Sequence, residues 1–152
     1  MPHLFYYLDY TVSVFVVNDG RVLLVDHKQL NRWLPLGGHI DPNEDPQTAA
    51  LRETREESGL EVELIGSRPP DGMPGTTPLT APAYLDIHDI KGEHRHLGMI
   101  YFARSATAAV QLAGAEHREI RWFAEDELDG PAWGLLDSIR FYAKEALRWA
   151  AA

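Results

Sequence analysis

A mixed α and β fold, α/β or α+β in class, is predicted by two observations: short β-rich segments follow one another along most of the chain, and only two stretches carry helical periodicity. Length adds a third. A chain of 152 residues with 45% hydrophobic content can bury one core, and residues 1–152 are most simply one domain.

Residues 11–17 and 21–28 are β-rich, and Asn18-Asp19-Gly20 between them is a good hairpin turn. Asp45 then starts a helix, because its carboxylate accepts from orphan amides while Pro46 is tolerated at the first helical position. Gly59 stops it: a glycine just past the last turn adopts the left-handed conformation at little cost, so the helix spans residues 46–58. Residues 62–67 leave the helix as a strand. Prolines at 69, 70, 74, 78 and 82 forbid regular structure over residues 68–82, a loop of the length that serves as a lid or partner contact. A strand over 83–90 alternates weakly, and Met99, Ile100, Tyr101 and Phe102 give residues 97–104 the composition of a central strand. Residues 120–123 form a short strand ahead of an acidic turn at 125–129. From 135 to 150, Leu136, Ile139, Tyr142, Ala143, Ala146, Leu147 and Trp149 recur at helical spacing and predict a closing amphipathic helix.

The formal charge of −9 argues against nucleic acid as a partner, since phosphate neutralisation by Lys and Arg supplies most of that affinity. Small, metal-complexed phosphates are compatible with it. Cysteine is absent, which removes disulfide frames and thiolate metal sites and fits a reducing cytoplasm. No run approaches a membrane span, so a soluble, cytoplasmic protein without membrane partners is expected.

The predicted first helix carries the densest charge. At about 100° per residue, Glu53, Glu56 and Glu57 fall near 0°, 300° and 40°, with Leu51 and Thr54 on the opposite, inward side. Glu53 and Glu57 are like-charged i,i+4 neighbours, which destabilises an isolated helix unless a pKa rises or a cation binds. Magnesium and manganese take oxygen ligands and use few carboxylates, so the face suits either ion; a solvated acidic surface is the alternative from the helix alone.

The wider spacing decides between them. Gly38, Glu44, Arg52-Glu53, Glu56-Glu57, Gly59 and an apolar Leu60 resemble the Nudix box, and Trp33 to Gly38 resembles the strand and glycine pair that lead into it. Seven fixed identities at about one in fifteen each coincide by chance in roughly one window in 10⁸. Thr54 departs from the pattern, where the family usually carries an aliphatic residue.

The resemblance implies a mixed β-sheet sandwiched between helices, and a metal-dependent hydrolase that cleaves the pyrophosphate bond of a nucleoside diphosphate linked to another moiety, X. It implies Glu56 and Glu57 as leading ligands of Mg²⁺, or of Mn²⁺, with a backbone carbonyl at Gly37 or Gly38. Glu53 is then a further ligand or the group that orients or deprotonates the attacking water. Arg52 pins a glutamate through a bidentate pair, and Glu44 bonds to the loop or to Arg52. Before Trp122, Glu116 is preferred over Glu119 as an additional ligand or general base, with Glu93 third. In this family the region equivalent to residues 68–82 shapes substrate choice or a dimer contact, so a homodimer is open.

Outside the box, His94, Arg95 and His96 form the most unusual polar triplet. All three are candidates for substrate binding: on one strand the two histidines share a face, where they are expected to line the cleft and contact substrate phosphate, while Arg95 points the other way. Two histidines without a third ligand do not make a zinc site. His39 is expected to make a backbone-fixing hydrogen bond. Trp33, Tyr84 and Phe5 could stack a base, although aromatics in such patterns are more often core. Capped RNA, an isopentenyl-type diphosphate and a non-catalytic nucleotide sensor remain as alternatives; the charge speaks against the first, the lack of cysteine against the second and the complete box against the third.

Overall fold

The computed structural model describes residues 8–152. Its elements run β1 (Leu8–Asn18), β2 (Arg21–His27), β3 (Arg32–Leu34), β4 (Leu36–His39), α1 (Pro46–Ser58), β5 (Val62–Ile65), β6 (Tyr84–Lys91), β7 (His94–Ser105), β8 (His117–Ala124), a 3-10 turn at Glu125–Asp129, and α2 (Asp137–Ala151). Among the described residues no helix is long and apolar enough to cross a membrane.

The central strand is β1. It runs parallel to β7 from Leu8 opposite Arg95 to Val17 opposite Arg104, whereas the other pairings are antiparallel, so the sheet is mixed. Alternation along β1 and β7 sends side chains to two faces. Val12, Val14, Val16, Tyr101 and Ala103 pack with Ala49 and Ala50 of α1. Phe15, Val17, Ile100 and Phe102 pack with Ile139, Ala143 and Ala146 of α2. The result is an α/β/α sandwich around a mixed sheet, as the resemblance implies.

Both predicted caps of α1 are present. Asp45 Oδ1 accepts from the Thr48 amide at 2.8 Å, and Gly59 closes the helix at φ +76° with its N–H on the Arg55 carbonyl. Residues 68–82 hold no regular element, and the end of the loop is tied down where the Thr80 amide donates to Gln47 Oε1 at 2.7 Å. Other boundaries differ. The segment leading into α1 is two strands, because Pro35 interrupts it and has no N–H for a ladder. Polar residues lengthen three strands beyond their apolar cores: β1 includes Asp9, β7 includes His94, Arg95 and His96, and β8 starts at His117 rather than Ile120. Helix α2 starts two residues late; Leu136, expected in its apolar stripe, precedes it and is 42% exposed.

The sheet splays. β1 and β2 pair at Val17 with Val22 and at Asn18 with Arg21, beside the Asn18-Asp19-Gly20 turn. Beyond that point β4 takes the edge of β1 from Thr11 to Val14, while β2 pairs with β3 and β8. A cleft of about 800 Å³ opens between these strands, and all six described histidines line it.

Candidate functional site

The inward face of α1 is built from Ala49, Ala50, Thr54 and Ser58, together with Glu57. This corrects the expectation that Glu53, Glu56 and Glu57 share one outer face. Small side chains bring the helix close to the sheet, and the carboxylate of Glu57 is carried in with them until only 11% of it is exposed. Leu51, expected opposite the carboxylates, is only half-buried. Thr54 fits because its hydroxyl donates to the Ala50 carbonyl at 2.8 Å.

Glu57 Oε1 accepts from the Gly37 amide at 2.9 Å, and its Oε2 lies 3.2 Å from His117 Nε2. Burial, reinforced by the charges of Glu53 and Glu116 and partly offset by the Gly37 amide, pushes its carboxyl up to about 8. Burial also raises Glu53, against the pull of Arg52. Two glycines make this approach possible. A Cβ on Gly38 would lie 2.4 Å from Glu53 Oε1, and one on Gly37, at φ +154°, would lie 2.1 Å from the Val12 carbonyl oxygen.

Arg52 ties the cluster together. Its Nε and Nη2 grip Glu44 at 2.7 and 2.9 Å, Nη1 donates to Glu53 at 3.0 Å and to Glu56 at 3.1 Å, and Nη2 also reaches the His39 carbonyl at 3.1 Å. Glu44 in turn accepts from the Asp41 amide at 3.0 Å, so the turn before α1 and the carboxylates on it form one unit. Glu53 and Glu57 are closely spaced, largely buried oxygen donors that hold their protons too tightly, and such a set fits a hard divalent cation.

His117 at the start of β8, and Glu116 just before it, enter the same cleft. The Glu116 carbonyl accepts from the Lys28 amide at 2.9 Å, and a register shift after Asp26 brings His27 opposite His117, with ring centroids 5.4 Å apart. A bulge at such a place re-aims side chains. Glu119 pairs across from Asp26, and neither it nor Glu93 lines the cleft. The His117 side chain is 4% exposed, and its Nδ1 has no hydrogen-bond partner among the described residues. Burial, then His27, holds its pKa below the usual histidine value.

On the α2 face of the sheet, His94 and His96 share a side of β7 and line the cleft, while Arg95 is exposed on the other side, away from it. The ring of His96 lies 5.1, 5.3 and 5.5 Å from those of His94, His39 and His88. Burial and these three neighbours hold its pKa down to about 4, so it is neutral near pH 7. Asp9 Oδ2 sits between His39 Nε2 at 3.1 Å and His94 Nε2 at 3.2 Å. The His39 ring therefore faces a side chain rather than fixing backbone, and it is the His39 carbonyl that Arg52 holds. His88 Nδ1 is 2.7 Å from Asp86 Oδ1, and the Tyr142 hydroxyl donates to the other oxygen of Asp86. Trp33 is stacked edge-on against Phe123 and Trp133, and Tyr84 bonds Glu145 and packs on Phe102, so both are structural. Phe5 lies outside the described residues. Asp9, His27, His88 and His117 went unread in the sequence; their one signal is seven histidines in so short a chain.

Comparison with known proteins bears on the family and the fold. The family model described as NUDIX domain matches residues 8–149. A NUDIX-family hydrolase from Clostridium perfringens has the same fold at a TM-score of 0.83, with 33% identity, over 92% of this chain and 96% of that one. CTP pyrophosphohydrolase of Escherichia coli (strain K12) is 27% identical over 112 residues, 69% of this chain and 83% of its own. RNA pyrophosphohydrolase of Erythrobacter litoralis (strain HTCC2594) is 32% identical over 110 residues, 68% of this chain and 66% of its own.

Proposed function

The chain belongs to the Nudix family and is a hydrolase acting on phosphoric anhydrides, and on that premise we propose that it uses magnesium, or manganese, to cleave the pyrophosphate bond of a nucleoside diphosphate linked to X. The observation that carries the reading is Glu57: a carboxylate buried against Gly37, beside a second raised carboxyl on Glu53, in a cleft large enough for a nucleotide derivative.

In this reading Glu56 and Glu57 would hold the cation, with Glu53 and a carbonyl of Gly37 or Gly38 beside them. The chemistry a divalent ion would supply there is neutralisation of adjacent phosphoryl charges and a lowered water pKa. Glu53 or Glu116 orients the water and takes its proton. The water oxygen forms a bond to phosphorus, the bridging P–O bond breaks, and the products are a nucleoside monophosphate and phosphorylated X. Arg52 is a positioning residue, since its contacts are with Glu44, Glu53, Glu56 and the loop. His94 and His96 face the substrate; Arg95, the third candidate, is exposed on the far side of β7, away from the cleft lining.

The test is Glu57→Gln, which keeps an acceptor for the Gly37 amide while removing the charge. It should abolish most magnesium-dependent release of monophosphate with an unchanged circular dichroism spectrum, and undiminished turnover refutes the assignment. A screen of nucleoside diphosphate sugars, ADP-ribose, dinucleoside polyphosphates, coenzyme A and nucleoside triphosphates identifies X.

A further inference from the structure

We propose that Asp9, His94 and His96 form a second metal site in the cleft, separate from the α1 carboxylates, that takes a divalent transition ion of the zinc class. Sheet register places the three together. Asp9 on β1 is the parallel partner of His96 on β7, and His94 precedes His96 by two residues on the same face. One ligand atom from each lies within 4.8 Å of the others, which supplies the third ligand that the histidine pair lacks in the sequence alone.

The distances suit coordination. Donors bound at about 2.0–2.1 Å in a tetrahedral shell are about 3.3 Å from one another, and His94 Nε2 lies 3.2 Å from Asp9 Oδ2. Donor chemistry separates this site from the other. Two imidazoles and one carboxylate suit zinc and its neighbours, whereas magnesium prefers oxygens alone. His39, 3.1 Å from Asp9 Oδ2, orients the carboxylate as a hydrogen-bonded support does at metal centres. Asp86, another acidic group on this face, is occupied by His88 and Tyr142.

Three protein ligands leave a coordination position open. Asp9 and His94 are each a little over one-third exposed, and His94 and His96 line the cleft that also holds Glu57 and Glu116. An anionic oxygen of X, from a phosphate or a carboxylate, is the occupant the position would take; only this last step rests on the proposed function. The cluster of His27, Glu116 and His117 is a different case, because His117 already faces Glu57 at 3.2 Å and so belongs to the α1 site.

The experiment titrates Co²⁺ into the EDTA-stripped full chain in excess Mg²⁺ and reads the visible absorption of bound cobalt. One equivalent is expected to bind, Glu57→Gln should retain it, and His94→Gln, His96→Gln and Asp9→Asn should each weaken it at least tenfold. In the wild-type protein, paramagnetic broadening of the His94 and His96 ring protons checks the assignment without any substitution. Inorganic phosphate added to the cobalt form should change the spectrum if the open position takes an anion. Absent binding, binding indifferent to the three ligand substitutions, unbroadened rings, or equal loss in Glu57→Gln overturns the site; an unchanged spectrum with phosphate overturns the open position. Magnesium-dependent turnover of Glu57→Gln is scored separately, so failure at the histidines and failure at the glutamates read out independently.

Discussion

Substituting Gly38 with alanine tests whether the placement of Glu53, rather than its mere presence, supports turnover. The new Cβ would sit 2.4 Å from Glu53 Oε1, about 1 Å inside ordinary contact. Gly38 is not in the left-handed region, so its backbone accepts alanine and the adjustment falls on the carboxylate. That carboxylate is held by Arg52 Nη1 at 3.0 Å and is mostly buried, so it cannot swing away freely. A displacement of about 1 Å at a catalytic group costs roughly 10²-fold in rate. Steady-state kinetics with Mg²⁺ should therefore show kcat/KM reduced about 100-fold, while Tm stays within about 2 °C of wild type, a shift worth under about 1 kcal/mol for a chain of this size. Gly37→Ala is the control. Its Cβ meets the backbone oxygen of Val12 at 2.1 Å and its φ of +154° disfavours a side chain, so strain of about 1–3 kcal/mol should lower Tm by about 2–12 °C. If Gly38→Ala keeps kcat/KM within threefold of wild type, or if its activity falls only in step with its Tm, the positioning argument fails.

Metal-free stability should fall as pH rises from 6.5 to 8. A carboxyl whose pKa is higher folded than unfolded makes the folded state hold the extra proton, so raising pH favours unfolding, and Glu57 is raised from 4.5 to about 8. His96, depressed from 6.5 to about 4, acts with the opposite sign and only below pH 6.5; urea melts in EDTA should show the fall, and Glu57→Gln should flatten it. Arg52→Lys keeps one charge but loses the forked grip on Glu44 and the reach to Glu53 and Glu56. A drop in kcat of about 10- to 100-fold with little change in Tm is expected, and kinetics near wild type would return Arg52 to a surface role. Thr54→Val removes a hydroxyl that bonds its own helix; calorimetry should find a change below about 1 kcal/mol.

Helix α1 was legible from its ends because caps are local chemistry: Asp45, Pro46 and Gly59 act through neighbouring amides and their own dihedrals. Its orientation was harder to read. Hydrophobicity marks an inward face, but here that face is alanine, threonine and serine, and nothing apolar competes with Glu57 for the same arc. The site's second half was illegible for a related reason. Asp9, His27 and His117 lie at strand ends where polar residues break the alternation, and they meet their partners only through pairing between strands far apart in sequence. Glu116 could be preferred over Glu119 from its position before Trp122; the register shift after Asp26, which no local pattern encodes, determines what surrounds it.

Two residue pairs between β1 and β2, next to their connecting turn, leave the strands free to diverge. The two walls of the cleft therefore hang from different supports. One is braced by α1 and β4, while the other includes Lys28, Gln29 and Leu30 at the tip between β2 and β3. That tip still touches the buried carboxylate by one route: the Lys28 amide bonds the Glu116 carbonyl at 2.9 Å, and neighbouring His117 faces Glu57 at 3.2 Å. The splayed sheet is thus a coupling as much as a gap: the entrance and the buried carboxylate share one chain of contacts.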